Sequence, residues 1–280
     1  MSEISSNHSR NLERSFSLIE KSKEIGCSAV KFQLFKINEL FSDEILKKSK
    51  MHRDRREWEL PISFLPDLSQ YSHKLGMHFS CTPFYLKAVE ELEPYVDFFK
   101  ISSYELIWDD LIVECARTGK DLVMSTGMAN TKEISHAVKT FRTHSQADLV
   151  LLHTISGYPT PLTETNLAAI ETLRRKFGCE VGLSDHSVLP SVINRAVNHW
   201  KASLVEFHID LDSTGAEYSQ GHCWLPDDIK TVIRNIKDGL VADGSGEKIP
   251  MQSEVEERMW RADPSDGLRP VKAIRRTFNG

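Results

Sequence analysis

The sequence has few cysteines, and their spacing matches no metal site or disulfide framework. The five cysteines among 280 residues are scattered, odd in number and never separated as CxxC. Closely spaced cysteines are what structural zinc sites and disulfide-rich domains require. We therefore predict neither kind of site, and unpaired thiols of this kind indicate a cytoplasmic protein.

Long apolar runs and an excess of positive charge are also absent. No stretch approaches the roughly 18 apolar residues of a membrane-spanning helix, and the N-terminal sequence MSEISSNHSR has no apolar signal core. The net charge of -5 disfavours nucleic acid as a partner, because neutralising phosphates requires a basic surface. With 40% hydrophobic and 27% charged residues, the composition is that of a folded globular protein with no membrane or nucleic-acid partner.

What the sequence does contain is a repeated alternation of a short apolar run and a longer amphipathic segment. Such alternation is typical of parallel strands joined by helices. The predicted strands cover residues 2–6, 29–34, 77–81, 98–102, 121–125, 149–154, 180–184 and 203–208. Eight such units predict an α/β fold of the (β/α)8 TIM-barrel type.

A doubly wound open sheet is the competing arrangement. The barrel is favoured because polar residues follow the carboxyl ends of nearly all the strands instead of one switch point. We place the barrel domain at residues 1–242 and expect residues 243–280 to be an extension that packs on the barrel or on a partner subunit. The charged segment 36–61 interrupts the pattern and could either fold over a substrate or form a solvated insertion.

Two lysines lie within apolar strand sequences, where an unpaired ammonium group would be costly to bury. Lys31 lies in "AVKFQ" and Lys100 in "FFKIS". A single lysine is more often solvent-exposed. Two lysines at strand ends, among several hydroxyls, predict a pocket for anions in which all the charged groups are of one sign, positive. The expected ligand is a compact di-anion such as a phosphorylated carboxylic acid.

Two histidines occupy corresponding positions on consecutive predicted strands. His186 follows the seventh strand and His208 ends the eighth, so their imidazoles could converge in a barrel. A lone histidine is more often a structural hydrogen-bond donor. Two matched histidines with the carboxylates of Glu3, Asp185 and Glu217 in the same region favour an open divalent-metal site.

Seven motifs in order resemble those of the sialic acid synthase family. They are "AVKFQ", "CTPF", "FKISSYE", "STGM", "LLHTISGYPTP", "GLSDHS" and "EFH", and the resemblance covers residues 3 to about 238. The family implies condensation of phosphoenolpyruvate with an N-acylated aldose, which gives a nine-carbon 2-keto sugar acid and phosphate. It also implies Mn²⁺ or Mg²⁺ on the residues that match its two histidines, His186 and His208.

The resemblance implies a role for further residues. Glu3 matches an acidic residue beside the reacting centre, Gln33 and Tyr158 match residues near the sugar, and Ser156 stands where the family has Asn. Glu217 stands in for an acidic residue, Asp185 is expected to orient a metal ligand, Glu105 to contact substrate, and His222 is an added polar group. The phosphoenolpyruvate pocket is expected at Lys31, Thr82, Lys100, Ser103, Ser125 and Ser184.

The implied reaction has a defined order of bond changes. The metal polarises the aldehyde, C3 of phosphoenolpyruvate attacks it, water adds to the cationic C2, and phosphate leaves by C–O cleavage. Glu3 is the expected group for orienting the water or moving its proton.

Two features of the chain leave other interpretations open. It ends at Gly280, where the family commonly continues into an antifreeze-like domain, so we expect a homodimer and consider that a separate antifreeze-like protein could complete the site. One alternative function is a pyruvate-dependent aldolase or lyase that forms a Schiff base on Lys31 or Lys100. Another is an inactive barrel that serves as a binding subunit.

Overall fold

The computed structural model describes residues 1–278, and its centre is a closed barrel of eight parallel strands. Consecutive strands pair with each other, and the first pairs with the eighth to close the barrel. This confirms the (β/α)8 TIM-barrel prediction. The strands are β1 (Ser2–Glu3), β2 (Ala29–Leu34), β3 (His78–Pro83), β4 (Phe98–Ile101), β5 (Leu122–Ser125), β6 (Leu149–Thr154), β7 (Glu180–Asp185) and β8 (Val205–Ile209).

Helices connect consecutive strands of the barrel as far as β8, and further helices follow in the C-terminal part of the chain. Gly178 adopts a left-handed conformation with φ 57° just past the helix that precedes β7, as glycine commonly does at the end of a helix. The helices are α1 (Leu12–Glu24), α2 (Ile37–Leu40), α3 (Asp43–Lys48), α4 (Lys50–Asp54), α5 (Leu65–Lys74), α6 (Leu86–Leu92), α7 (Asp109–Arg117), α8 (Thr131–His144), α9 (Ala169–Phe177), α10 (Pro190–Asn198), α11 (Pro226–Asp243), α12 (Val255–Met259) and α13 (Lys272–Thr277).

Alternation along each strand separates an apolar outer layer from a polar interior. In β2, Val30 and Phe32 are fully buried in the core between strands and helices, and Lys31 between them has the opposite orientation. The same rule sends Lys100 of β4 and Glu206 of β8 away from the apolar neighbours that flank them. Charged side chains therefore converge inside the barrel because the strand period places them there.

Three local features differ from the sequence-based expectations. β1 is only two residues long and passes directly into a 3-10 turn, Ser5–His8. A ninth strand, β9 (Cys223–Trp224), pairs with β8 and was not expected, because a two-residue strand carries no periodic signal. The charged segment 36–61 contains the short helices α2, α3 and α4, which pack a small apolar cluster of their own around Phe35, Ile37 and Leu46.

The chain divides into two compact units, Met1–Lys237 and Asp238–Gly280. Within the second unit, Asp266 forms an ion pair with Arg275 at 2.7 Å, and Asp263 accepts a hydrogen bond from the Lys272 amide at 2.7 Å. The boundary expected at residue 242 stays a prediction, and residues 279 and 280 of the expected extension lie outside the described residues. Among residues 1–278, no helix combines the length and the apolar character needed to cross a membrane.

Candidate active site

The first group of site residues lies in register across three neighbouring strands. Glu3 of β1 is aligned with Lys31 of β2 on one side and with His208 of β8 on the other. The Lys31 ammonium contacts the Glu3 carboxylate and donates to Thr82 Oγ1 at 3.1 Å, and Gln33 Nε2 donates to Glu3 Oε1 at 3.2 Å. The structure thus brings together four of the residues that the sequence analysis selected.

A second carboxylate, Glu206, links the two lysines. Its carboxylate lies 3.4 Å from Lys100 Nζ and 3.9 Å from Lys31 Nζ, and it accepts a hydrogen bond from Ser184 Oγ at 2.8 Å. Burial raises the pKa of Glu206, but the two ammonium groups and the hydroxyl more than offset that effect and hold it well below its usual value. The prediction that the charged side chains of this pocket are all positive is therefore wrong, because each lysine has a carboxylate partner.

Hydroxyl groups at the ends of β5 and β6 form the next part of the site. Ser125 Oγ and Ser156 Oγ are buried and have no hydrogen-bond partner among the described residues. Ser103 Oγ accepts from the Gly127 amide at 3.0 Å, and a Cβ atom on Gly127 would lie only 2.4 Å from Ser156 Oγ. A side chain at position 127 would displace these hydroxyls, and the two unpartnered ones, of Ser125 and Ser156, are donors suited to an anion oxygen.

The two predicted metal-binding histidines lie close together. The ring centres of His186 and His208 are 5.3 Å apart, and the ring of Tyr158 lies 4.3 Å from that of His186. His186 Nδ1 donates to the Ile155 carbonyl at 2.9 Å, and His208 Nδ1 donates to Glu217 Oε2 at 3.1 Å. Each ring therefore keeps the lone pair on its Nε2 atom.

Electrostatics favour the neutral form of both rings. Burial, together with the neighbouring His208, lowers the pKa of His186 to about 3, and burial also lowers the pKa of His208. A neutral imidazole is the form that binds a metal ion.

Glu217 and His222 adjoin this pair. Glu217 accepts from Ser5 Oγ at 2.5 Å, and its backbone amide donates to Asn7 Oδ1 at 2.9 Å, which fixes the loop between β8 and β9. Potential ligand atoms of His208, Glu217, His222 and Cys223 all lie within 4.8 Å of one another. Burial raises the pKa of the Glu217 carboxyl group, but the hydrogen bond from His208, the nearby His222 ring and the hydrogen bond from Ser5 more than offset that effect and hold the pKa far below its usual value.

The residues present fit a divalent cation. Imidazole nitrogens and a carboxylate form a donor set that accepts ions such as Mn²⁺ or Zn²⁺. Around this centre the buried carboxylates of Glu3, Glu206 and Glu217 outnumber the ammonium groups of Lys31 and Lys100. The interior therefore has less positive than negative charge. Because an uncompensated buried charge is costly, a bound cation would stabilise this arrangement.

Asp185 has partners other than the metal ligand that it was predicted to orient, whereas the substrate contact expected of Glu105 stays a prediction. Asp185 accepts hydrogen bonds from Ser187, Val188 and the Trp224 indole, so it holds β9 and the start of the α10 loop. The Ile155 carbonyl, and not Asp185, orients His186. Glu105 accepts a hydrogen bond from Ser102, and burial raises the pKa of its carboxyl group.

Glu206 and Asn7 could be placed at strand ends from the sequence and His222 noted as an added polar group, but none of the three was predicted to hold a particular partner. For Glu206 a signal existed, because it alternates with apolar residues in β8 as Lys31 does in β2. For His222 and Asn7 none did, since both lie in turns whose path is set only by contacts with the folded barrel.

Comparison with known proteins gives one consistent family. The model of the NeuB family matches residues 18–248. An uncharacterized protein of Methanocaldococcus jannaschii is 36% identical over 251 residues, which are 89% of this chain and 72% of that protein. The N,N'-diacetyllegionaminic acid synthase of Legionella pneumophila is 30% identical over 270 residues, 91% of this chain and 76% of that one.

A solved structure agrees with these relatives. The crystal structure of N-acetylneuraminic acid (sialic acid) synthetase from Leptospira borgpetersenii, in complex with citrate, superposes with a TM-score of 0.80 at 27% identity. The superposition covers 91% of this chain and 88% of that chain. On the family match and these similarities together, the chain belongs to the NeuB family.

Proposed function

We propose that this protein is a sugar-acid synthase that condenses phosphoenolpyruvate with an N-acylated aldose to give a nine-carbon 2-keto sugar acid and phosphate. The relatives named above as synthases of legionaminic and sialic acids support the reaction class. The observation that carries the proposal is the placement of Lys31, Lys100, His186 and His208 at one end of the barrel interior, all of them buried.

The lysines and hydroxyls are suited to the enol phosphate. Lys31 and Lys100 lie on either side of Glu206, and the unpartnered hydroxyls of Ser125 and Ser156 supply further donors. Before the substrate binds, Glu206 keeps the two ammonium groups charged and in position. A di-anion that enters this space then competes with Glu206 for them.

A divalent metal would be held by His186 and His208, whose Nε2 lone pairs are available. When bound, such an ion supplies a Lewis acid for the aldehyde oxygen of the sugar. Tyr158 lies at the open side of this pair and is 38% exposed, so its ring can contact the incoming sugar.

The bond changes balance as follows. The C3 atom of phosphoenolpyruvate forms a bond to the aldehyde carbon, and water adds to C2 of the resulting cation. The added water gives up both of its protons, one to the former aldehyde oxygen, which becomes a hydroxyl group, and one to the phosphate, which leaves as the C2–O bond breaks and the ketone forms. Glu3 is the proposed group that accepts the first of these protons and passes it on, because its carboxylate contacts the ammonium group of Lys31, which is proposed to bind phosphoenolpyruvate.

The lysine contacts argue against the Schiff-base alternative. The Lys31 ammonium contacts the Glu3 carboxylate, and this ion pair favours the charged form of the amine even though burial lowers its pKa to about 8. A charged amine is not a nucleophile. Borohydride added with pyruvate is therefore expected to leave the protein unlabelled, and covalent labelling of either lysine would favour the aldolase instead.

The proposal is tested by measuring phosphate release from phosphoenolpyruvate with Mn²⁺ and a panel of N-acetylated and di-N-acetylated hexoses. We expect release that requires both a sugar and the metal. The variants His186→Ala and His208→Ala should lose it, and His78→Ala should not, because His78 is exposed at the opposite end of β3. A folded, metal-bound protein that releases no phosphate with any sugar would contradict the proposal, and the inactive binding subunit would then be favoured.

A further inference from the structure

The two predicted metal-binding histidines are held by different kinds of hydrogen-bond acceptor. His186 Nδ1 donates to the backbone carbonyl of Ile155 at 2.9 Å, whereas His208 Nδ1 donates to the Glu217 carboxylate at 3.1 Å. An ionised carboxylate only accepts hydrogen bonds, so the Nδ1 atom of His208 carries the proton. The acceptor for His208 is therefore a side chain that one substitution removes, and it lies on the Nδ1 side of the ring.

The Glu217 carboxylate is held in place by the turn that follows β1. Its Oε1 atom accepts from Ser5 Oγ at 2.5 Å, and the Glu217 amide donates to Asn7 Oδ1 at 2.9 Å. Ser5 is 1% exposed and Asn7 is fully buried. Because water does not compete for these buried bonds, they restrict the carboxylate to one position beside His208.

Asn7 is itself fixed by two further hydrogen bonds. Its Nδ2 atom donates to the Ile209 carbonyl at 2.9 Å, and its backbone carbonyl accepts from Arg14 Nε at 2.7 Å. The side-chain oxygen faces an N–H group and the side-chain nitrogen faces a carbonyl, so only this orientation of the amide makes both bonds. A Cβ atom on Gly215 would lie 2.5 Å from Asn7 Oδ1, so the absence of a side chain there lets the loop approach. Asn7 thus joins the turn after β1 to the loop after β8.

We propose that Glu217 is a positioning residue that keeps His208 in the tautomer with its proton on Nδ1, so that the Nε2 lone pair is free for the metal ion, and that Ser5 and Asn7 hold Glu217 in this role. The inference rests on the proposed function in that His208 is a proposed metal ligand. His222 Nε2 lies 3.6 Å from the same carboxylate oxygen, which is longer than a hydrogen bond, so His208 is the ring that Glu217 orients.

Nitrogen-15 NMR of the full chain, labelled at histidine and free of metal, reads the tautomer directly at neutral pH. The His208 signals are identified by their loss in His208→Gln. We expect His208 to carry its proton on Nδ1 and to have an unprotonated Nε2. In Glu217→Leu, which removes the acceptor, the proton should move to Nε2 in a measurable fraction of the molecules. Titration with Mn²⁺ should then give a Kd about 10–100-fold higher, the usual effect of losing such a partner behind a metal ligand.

The matched control is Asp109→Asn, which removes the carboxylate of an exposed pair with His136 and should change neither the His208 signals nor the Kd. A proton on Nε2 of His208 in the unchanged chain would overturn the inference, and this observation needs no variant to fold. An unchanged tautomer in Glu217→Leu would also overturn it, whatever the Kd, as would an unchanged Kd. The tautomer is read without metal or substrate, so its outcome is separate from that of the phosphate-release assay, which decides the proposed function.

Discussion

At the scale of single residues, the interior of the barrel depends on paired charges. Lys31 and Lys100 could be selected from the sequence because each interrupts an apolar strand. Their partner Glu206 obeys the same rule, but which carboxylate meets which lysine depends on the closure of the barrel, and no local pattern encodes that. The sequence therefore predicts the buried charges better than their pairing.

Replacing Glu206 tests this pairing. Glu206→Gln leaves two buried ammonium groups short of a partner, and removing one member of a buried ion pair costs about 3–5 kcal/mol of unfolding free energy. Urea unfolding should show this loss. The matched control is Glu180→Gln, at the exposed start of β7, which should change stability by less than about 0.5 kcal/mol. Equal stability of the two variants would show that Glu206 does not hold the lysines.

A buried histidine makes stability depend on pH. His8 is 1% exposed, its Nδ1 accepts from the Arg10 amide at 2.9 Å, and burial lowers its pKa to about 4. Below the ordinary histidine pKa of about 6.5 the unfolded chain takes up a proton that the folded chain refuses. The contribution of His8 is thus complete above pH 6.5 and is lost at about 1.4 kcal/mol per pH unit down to about pH 4.

The variant His8→Asn isolates this effect, because Asn can still accept the amide hydrogen bond but does not titrate in this range. Unfolding free energies between pH 7 and pH 4.5 should fall less steeply for His8→Asn than for the unchanged chain. Parallel pH curves would contradict the assignment, since acid effects from carboxyl groups are common to both proteins.

At the scale of elements, regular strands and helices followed from periodicity, and short or irregular ones did not. β9 was missed because it has two residues, and its position depends on the Trp224 indole bonding Asp185 of β7. The composition of the charged segment 36–61 is compatible with a cover over substrate and with a solvated insertion. In the structure the segment forms short helices around an apolar cluster, and Arg10 after β1 donates to the Arg56 carbonyl at 3.0 Å. The composition of the segment does not indicate these helices or their cluster.

The turn after β5 provides a test at this scale. In Gly127→Ala the new methyl group would lie 2.4 Å from Ser156 Oγ and 2.8 Å from Ser103 Oγ, so the two hydroxyls must move. We expect a loss of about 1–3 kcal/mol of stability, as for other overpacked sites, and a higher KM for phosphoenolpyruvate. Adding Ser156→Ala removes the closer clash and should recover part of the stability. No recovery in the double variant would mean that the clash lies elsewhere.

At the scale of the whole molecule, the barrel was predictable because its strands, their polar carboxyl ends and their connecting helices all agree. Assembly is different, since it depends on surfaces that no interior pattern describes. We propose a homodimer, and light scattering during gel filtration should give twice the mass of one chain. A single-chain mass at the highest concentration tested would reject the dimer.

The central claim is that the chain breaks the C–O bond of phosphoenolpyruvate while joining it to a sugar. Phosphoenolpyruvate with oxygen-18 in the bridging position, incubated with Mn²⁺ and an accepted N-acylated hexose, tests it most directly. The account predicts that the label appears in the released phosphate, and only when the sugar is present. Label retained in the organic product, or phosphate released equally without sugar, would contradict it.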